Sequence, residues 1–398
     1  MSKSSPFYAH ELLPQEEMLD VSRDSNKLFI GIPKERHLQE TRIALTPDSV
    51  SDLVRDGHSI LIESNAGINA GFTDHDYSEA GAQITSNTQK VFESPIVLKV
   101  EPPTIDEAQW LKPNSVLISA LQIKSQNKAF FELLQKKKIS AIAFEYVKEQ
   151  DGDYPILQTL SELAGTSSIL IASELLSQHE SSTGLLLGNI AGVAPTEVVV
   201  IGAGTVGFYA AKTAIGLGAK VKVFDPSINR LRKLQSRLNE NIHTSTIQPK
   251  SLLKAIRRCN VIIGALKGTD RTPLVVSEEL VEFMKKGSVI VDVSIDSGGC
   301  IETSRLTTHE DPTFVVHEVI HYGVPNISAR YPRTASLAIS NILAPFLMNI
   351  GNHGGIDQSI RFNFGLRSGT YMYKGILTNR TISNWFDMPS RDINLLIL

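Results

Sequence analysis

One stretch constrains this chain more than any other. Glu197-Val198-Val199-Val200-Ile201 runs directly into Gly202-Ala203-Gly204-Thr205-Val206-Gly207 and on into Phe208-Tyr209-Ala210-Ala211. A β-branched run, a G-x-G-x-x-G turn and an apolar helical continuation are the parts of a dinucleotide-binding strand–turn–helix unit. Gly202 permits the tight turn out of the strand, Gly204 lets the backbone touch a pyrophosphate, and Gly207 lets the helix lie close on the sheet. The helix N-terminus then offers N–H groups and its positive dipole end to the phosphates. A second strand candidate, Lys220–Phe224, ends at Asp225. A carboxylate there accepts hydrogen bonds from ribose hydroxyls and repels a 2′-phosphate, which predicts NAD over NADP. Arg230, at the start of the next helix, joins Ala203, Thr205 and Val206 in the expected cofactor set. A glycine-rich turn without a ligand accounts for neither the paired strands nor the carboxylate.

Apolar runs and helical patterns alternate on both sides of this loop. Strands are expected at Lys27–Ile32, Ser59–Glu63, Ile96–Val100, Ser115–Leu121 and Ile139–Phe144, and again at Val198–Ile201, Lys220–Phe224, Val261–Ala265, Ser288–Val293 and Thr313–Val316. Strands alternating with helices imply βαβ units. The expected fold is α/β, with two Rossmann-like domains, mostly parallel sheets, helices on both faces and a cleft between the domains. Residues 156–332 read as the NAD-binding domain, entered through a long apolar helix at Leu160–Ser177. Residues 1–155 with 333–398 read as one discontinuous substrate domain, to which a helix at Thr334–Asn349 returns. A first helix is expected around Ala9–Met18.

Composition narrows the partners. With 42% hydrophobic residues and a net charge of −3, the chain has a core but no basic face for a phosphate backbone. Lys136-Lys137-Lys138 reads as a solvated helix end, so nucleic acid is not an expected partner. The two cysteines, Cys259 and Cys300, fit neither a disulfide framework nor a metal-ligand spacing, which points to a reducing compartment and no metal. The N-terminal stretch is acidic without an apolar run, and no segment reaches the roughly 18 apolar residues of a membrane span. A cytoplasmic protein without a membrane partner is expected.

Further motifs carry a resemblance. Gly31-Ile32-Pro33-Lys34-Glu35 precedes Thr41-Arg42-Ile43-Ala44-Leu45-Thr46-Pro47; then come Val97-Leu98-Lys99-Val100 and Leu160-Ser161-Glu162-Leu163-Ala164-Gly165. After the glycine loop follow Val291-Asp292-Val293-Ser294-Ile295-Asp296-Ser297-Gly298-Gly299-Cys300, Tyr322-Gly323-Val324-Pro325-Asn326 and Pro332-Arg333-Thr334. In these the chain resembles the alanine dehydrogenases, which share their fold with the NAD-binding subunit of proton-translocating transhydrogenase. The resemblance implies reversible oxidative deamination of L-alanine to pyruvate and ammonia, with hydride passing to NAD, by a homo-oligomer, hexamer or dimer. Arg42 matches the arginine that grips the substrate carboxylate, a task suited to a guanidinium; otherwise it is a surface loop arginine. Asp296 matches the aspartate beside the nicotinamide, serving substrate and cofactor; otherwise it is a helix cap. Asn326 matches a pocket residue and Ser161 a cofactor contact.

Two positions depart from the family. Glu101 stands where a lysine holds the substrate's carbonyl oxygen, and Gln122 where a histidine serves as general acid and base. Glutamine cannot exchange a proton, and a carboxylate where a cation should polarise a carbonyl is worse than neutral. The loop Gly264–Thr269 is also about one residue short of the family's. Three readings stand at this point: an alanine dehydrogenase with relocated groups, a dehydrogenase for another amino or keto acid, and a non-catalytic NAD-binding protein like the transhydrogenase subunit. His321 and His37 are candidate replacements for the acid–base group, and His317, on the strand side just past Val316, reads as structural.

Overall fold

The computed structural model describes residues 26–36, 39–149, 151–268 and 271–397; the helix expected around Ala9–Met18 lies outside them. The first six strands are β1 (Phe29–Ile32), β2 (Ser59–Glu63), β3 (Gln83–Thr85), β4 (Ile96–Leu98), β5 (Val116–Ser119) and β6 (Ser140–Ala143). Seven more follow the glycine-loop region: β7 (Glu197–Ile201), β8 (Lys220–Phe224), β9 (His243–Ser245), β10 (Val261–Gly264), β11 (Val289–Asp292), β12 (Thr313–Val316) and β13 (Val319–Tyr322). The chain closes with β14 (Thr370–Tyr373) and β15 (Ile376–Leu377).

These form two sheets. One has the order β15-β14-β6-β5-β4-β1-β2-β3, the other β12-β13-β11-β10-β7-β8-β9. All neighbours are parallel except at β14–β6, β14–β15 and β12–β13. Each sheet therefore contains the doubly wound progression of three strands outward, then a return to the centre and three the other way. The strand order reverses between β1 and β4 in one sheet and between β7 and β10 in the other. Such switch points open a crevice at the carboxyl ends of the strands, where ligands bind in this architecture.

Alternation along the strands explains why each sheet is covered on both faces. Leu98 and Ile118 join one core with Ile339, Leu343 and Leu347, whereas Val97 and Leu117 join another with Phe130, Phe131 and Leu134. In the second sheet Val198 and Val200 point to one core, and Val199 and Ile201 to the other. Strands buried on both sides need such near-continuous apolar runs.

Two helices connect the sheets. Helix Pro155–Gln178 contributes Ile156 to the first sheet's core and Ala164, Ile169, Ile171, Ala172 and Leu176 to the second's. Helix Pro332–Asn352 starts on the second sheet's side and lays Ile339, Leu343 and Leu347 against the first. It is long and apolar enough to cross a membrane by length and composition, but here half of its apolar window is inside the fold.

Candidate active site

The glycine loop has the geometry its spacing requires. Gly202 has φ +120°, and a Cβ there would meet the Ala265 carbonyl oxygen at 2.3 Å. At Gly207 a Cβ would lie 1.9 Å from the Gly202 carbonyl oxygen. Gly204 is different: an added Cβ would meet nothing within 4 Å. That open cradle, at the N-terminus of helix Thr205–Gly216, is the space a dinucleotide pyrophosphate needs. Beside it a cavity of about 480 Å³ is lined by Ala203, Gly204, Thr205, Phe208, Arg230 and Arg237, so cationic groups stand next to the expected phosphates. A larger cavity, about 1010 Å³, lies between Phe144–Ile156 and Ile342–Leu366 and holds none of the expected site residues.

Asp225 is fully buried, and its oxygens accept from the backbone N–H groups of Ala203 and Ser227, both at 2.7 Å. It braces the loop from beneath as well as closing the strand. Ser161 donates to the Leu157 carbonyl at 2.7 Å. It sits one turn before Gly165, where a Cβ would be 2.3 Å from the Val206 carbonyl oxygen, so this helix runs against the glycine loop.

A second constellation collects at the carboxyl ends of β1, β4, β11 and β13. Arg42 is buried, with Nε donating to Glu40 Oε1 at 2.7 Å and Nη1 donating to Ser328 Oγ at 3.0 Å. Its Nη2 lies between the Glu40 carboxylate and Glu101 Oε1, 3.5 Å from the latter. Asn326, in the left-handed region at φ +52°, donates through Nδ2 to Glu40 Oε2 at 2.9 Å and to Glu101 Oε1 at 3.4 Å. The Asn326 backbone N–H donates to Asp296 Oδ1 at 3.2 Å. Four of the expected residues, Arg42, Glu101, Asn326 and Asp296, are thus linked by direct contacts. Gln122 stands on the neighbouring strand end: Ala120 N donates to the Val100 carbonyl at 3.0 Å, and Gln122 itself has φ +40°.

Charge within this cluster is unequal. Burial acts to raise the Glu40 carboxyl, but the Arg42 guanidinium outweighs it and holds the group down at about 2. Burial drives Glu101 the other way, reinforced by its hydrogen bond to Glu40 and by that residue's charge, against only partial relief from Arg42. One guanidinium neutralises one carboxylate, and the second keeps its proton. Asp296 is exposed at the residue level, yet desolvation of its carboxyl pushes the group up to about 6, with Asp292 adding and Asn326, Arg42 and Lys124 opposing. Lys99, the lysine of the Leu-Lys-Val motif, is spent elsewhere: its buried Nζ is 3.0 Å from Glu35 and 3.8 Å from Glu107.

The histidine candidates fare differently. His321 lies in β13, is buried, shares hydrogen bonds with Thr303 Oγ1 at 2.7 Å and the Val319 carbonyl at 3.0 Å, and stacks on Phe314. Burial holds its ring down at about 4, so it is a packing histidine and not an acid–base group. His317, just past β12, occupies the β12–β13 turn at φ +51° and pairs with Glu278 at 2.8 Å. His37 lies outside the described residues.

Sequence reading missed several members of the site. Glu40, two residues before Arg42, had a signal in the Glu-x-Arg spacing. Ser328 is brought in by the turn after Asn326. Glu145, at the end of β6, accepts from Leu121 N at 2.8 Å, and burial pushes its carboxyl up to about 7. His309 comes from a loop whose backbone N–H at that residue donates to Gln39 Oε1 at 2.7 Å. Only the fold brings these last three together with the motif residues. Among the described residues no group of three or more His, Cys, Asp or Glu is placed to hold a metal ion.

Comparison with known proteins gives one consistent family. Residues 31–164 match the model of the alanine dehydrogenase/PNT N-terminal domain, and residues 168–380 that of the C-terminal domain. Alanine dehydrogenase 2 of Staphylococcus aureus (strain USA300) is 37% identical over 366 residues, 92% of this chain and 98% of its own length. A solved L-alanine dehydrogenase superposes with TM-score 0.84 at 35% identity, covering 90% of this chain and 99% of that one. A transhydrogenase from Sinorhizobium meliloti follows with TM-score 0.74 at 22% identity, covering 89% and 99%, a likeness of fold alone.

Proposed function

The chain belongs to the alanine dehydrogenase/PNT family, and we propose that it is an NAD-dependent amino-acid dehydrogenase acting on L-alanine or a similarly small amino acid. The reaction is reversible oxidative deamination to the 2-oxo acid and ammonia. The observation that carries this reading is the linkage of Arg42 to Asn326 through Ser328, and of Asn326 directly to Asp296, at strand ends beside the glycine loop. Gly202 abuts Ala265, and Gly264 abuts Asp292, so loop and cluster share one edge of the second sheet.

NAD, bound over Gly202–Gly207, supplies the hydride acceptor. The chain's own residues do the rest. Arg42, its plane fixed by Glu40 and Ser328, presents its remaining N–H groups to the substrate carboxylate. Asn326 ties that carboxylate site to Asp296, which is half ionised near pH 6 and handles the proton of the amino group. Ser161 and Arg230 flank the cofactor. On this reading residues 156–332 form the NAD domain and 1–155 with 333–398 the substrate domain, with the reaction in the cleft. The family likeness supports a cytoplasmic homo-oligomer, hexamer or dimer, which sedimentation tests directly.

The decisive assay is NADH formation with a panel of small L-amino acids. Turnover with alanine or a near neighbour is expected; NADH binding without turnover of any amino acid would leave a nucleotide-binding protein only.

A further inference from the structure

Glu101 is the group that the family likeness least explains. It is 2% exposed; its Oε1 faces Arg42 Nη2 at 3.5 Å and Asn326 Nδ2 at 3.4 Å, and its carboxyl is hydrogen-bonded to that of Glu40. Its Oε2 is buried and has no hydrogen-bond partner among the described residues. A buried carboxylate oxygen with no donor is costly. A protonated carboxyl, its O–H shared with the Glu40 carboxylate, carries less of that cost than a second buried charge would.

We propose that Glu101 is the acid–base residue of this enzyme, a neutral carboxylic acid that donates its proton to the substrate's C2 oxygen. This rests on the amino-acid dehydrogenase reading above. The location fits, because Glu101 touches the same Arg42 and Asn326 that hold the substrate carboxylate, one carbon from the reacting centre. The sign fits as well. Glu40 takes the single charge that Arg42 can neutralise, and the nearby Glu35 adds repulsion, so Glu101 stays protonated at neutral pH. A neutral carboxyl is a hydrogen-bond donor, and so performs the polarising task for which a carboxylate is unfit.

The step is balanced without an added reagent. In reductive amination the lone pair of ammonia forms the C–N bond to C2. The C=O π pair moves to oxygen, which takes the Glu101 proton. The products are a carbinolamine bearing –OH and –NH3⁺ and a Glu101 carboxylate held by Arg42 and Asn326. In the reverse direction that carboxylate takes the hydroxyl proton, C=O re-forms, and the C–N pair leaves with ammonia.

The test uses the full-length enzyme. Glu101→Gln keeps the shape and a donor N–H but no transferable proton. Reductive amination should slow by about 10²–10⁴-fold, while NADH binding, followed by fluorescence, stays unchanged. The wild-type rate should fall as pH rises through about 9, and this limb should be missing from the residual rate of Glu101→Gln. Glu40→Gln, which removes the repelling charge, should move the limb to lower pH. Infrared difference spectra should show a protonated-carboxyl band at neutral pH that Glu101→Gln abolishes. Wild-type rates in Glu101→Gln, or absence of that band, overturn the proposal alone. Failure of the unmodified, NADH-bound enzyme to use any 2-oxo acid overturns the functional reading and this role together.

Discussion

Arg42 has one charge and two carboxyls to share it with, and most of the site's behaviour follows from that. Replacing it by lysine keeps the charge but loses the planar fork that Glu40 and Ser328 hold. Arg42→Lys should therefore raise KM for the amino acid by about 10–100-fold, the worth of one or two hydrogen bonds to a charged group, with little change in NADH affinity. Arg42→Ala removes the charge as well and leaves two buried carboxyls facing each other. Breaking a buried pair in this way costs on the order of 3–5 kcal/mol, so this variant should unfold at markedly lower urea. At Asp296 the expected reporter is pH: its carboxyl, pushed up to about 6, must be ionised to accept a proton, so oxidation should rise through that pH. In Asp296→Asn the acid limb of kcat/KM should vanish. A limb that survives unchanged would assign it to some other group.

The same contrast between shape and charge recurs in the glycine loop. Gly207→Ala drives a methyl into the Gly202 carbonyl, so the helix must move off the sheet, and both the melting temperature and NAD affinity should fall. Gly204→Ala meets no protein atom, so stability should hold within about 0.5 kcal/mol, as for unobstructed substitutions, while NAD affinity drops because the methyl takes the pyrophosphate's space. Calorimetry and thermal melts on the two variants separate these effects. This loop, with its strand and helix, is a local device, and local devices are legible in sequence. The same holds for the long apolar strands and for helix Thr334–Asn349, which extends to Pro332–Asn352 in the fold. What escaped was short or non-local. β3 and β9 have three residues each, too few for periodicity to register. β13, Val319–Tyr322, lay hidden because His321 interrupts its apolar run, although the ring is buried against Phe314. β14 and β15 exist only because the chain's end returns to pair with β6. The site divides likewise: Arg42, Asn326 and Asp296 were readable from motifs, whereas the protonated state of Glu101 depends on Glu40, Arg42 and Glu35 meeting in a dry place.

At the scale of the molecule, the two sheets are joined through polar contacts that are also the site. Thr41 Oγ1 donates to the Ala329 carbonyl at 2.6 Å, Arg42 to Ser328 and Asn326 to Glu40, so the loop after β1 is bound to the turn after β13. Titrating the site therefore changes the stability of the whole fold. Glu101, Glu145 and Asp296 all have carboxyls raised in the folded state, chiefly by burial, to about 9, 7 and 6. Such groups bind protons more tightly folded than unfolded, so their contribution is fully present below the ordinary carboxylate range. It is lost as pH rises through each folded value. Glu40 has the opposite sign: lowered to about 2 by Arg42, it stabilises above the ordinary range and loses that contribution only as pH falls toward about 2. The expected curve of urea midpoint against pH thus declines from the ordinary carboxylate range near 4, most steeply up to about 6 where all three groups contribute, and levels off only near about 9. Glu101→Gln, neutral at every pH, should end that decline near pH 7, where the loss from Glu145 is complete. Glu145→Gln should leave it running to about 9 but make it shallower below pH 7. If the wild-type midpoint is level across this range, neither carboxyl holds its proton in the fold, and the charge balance argued for Arg42 and its two partners is wrong at its root.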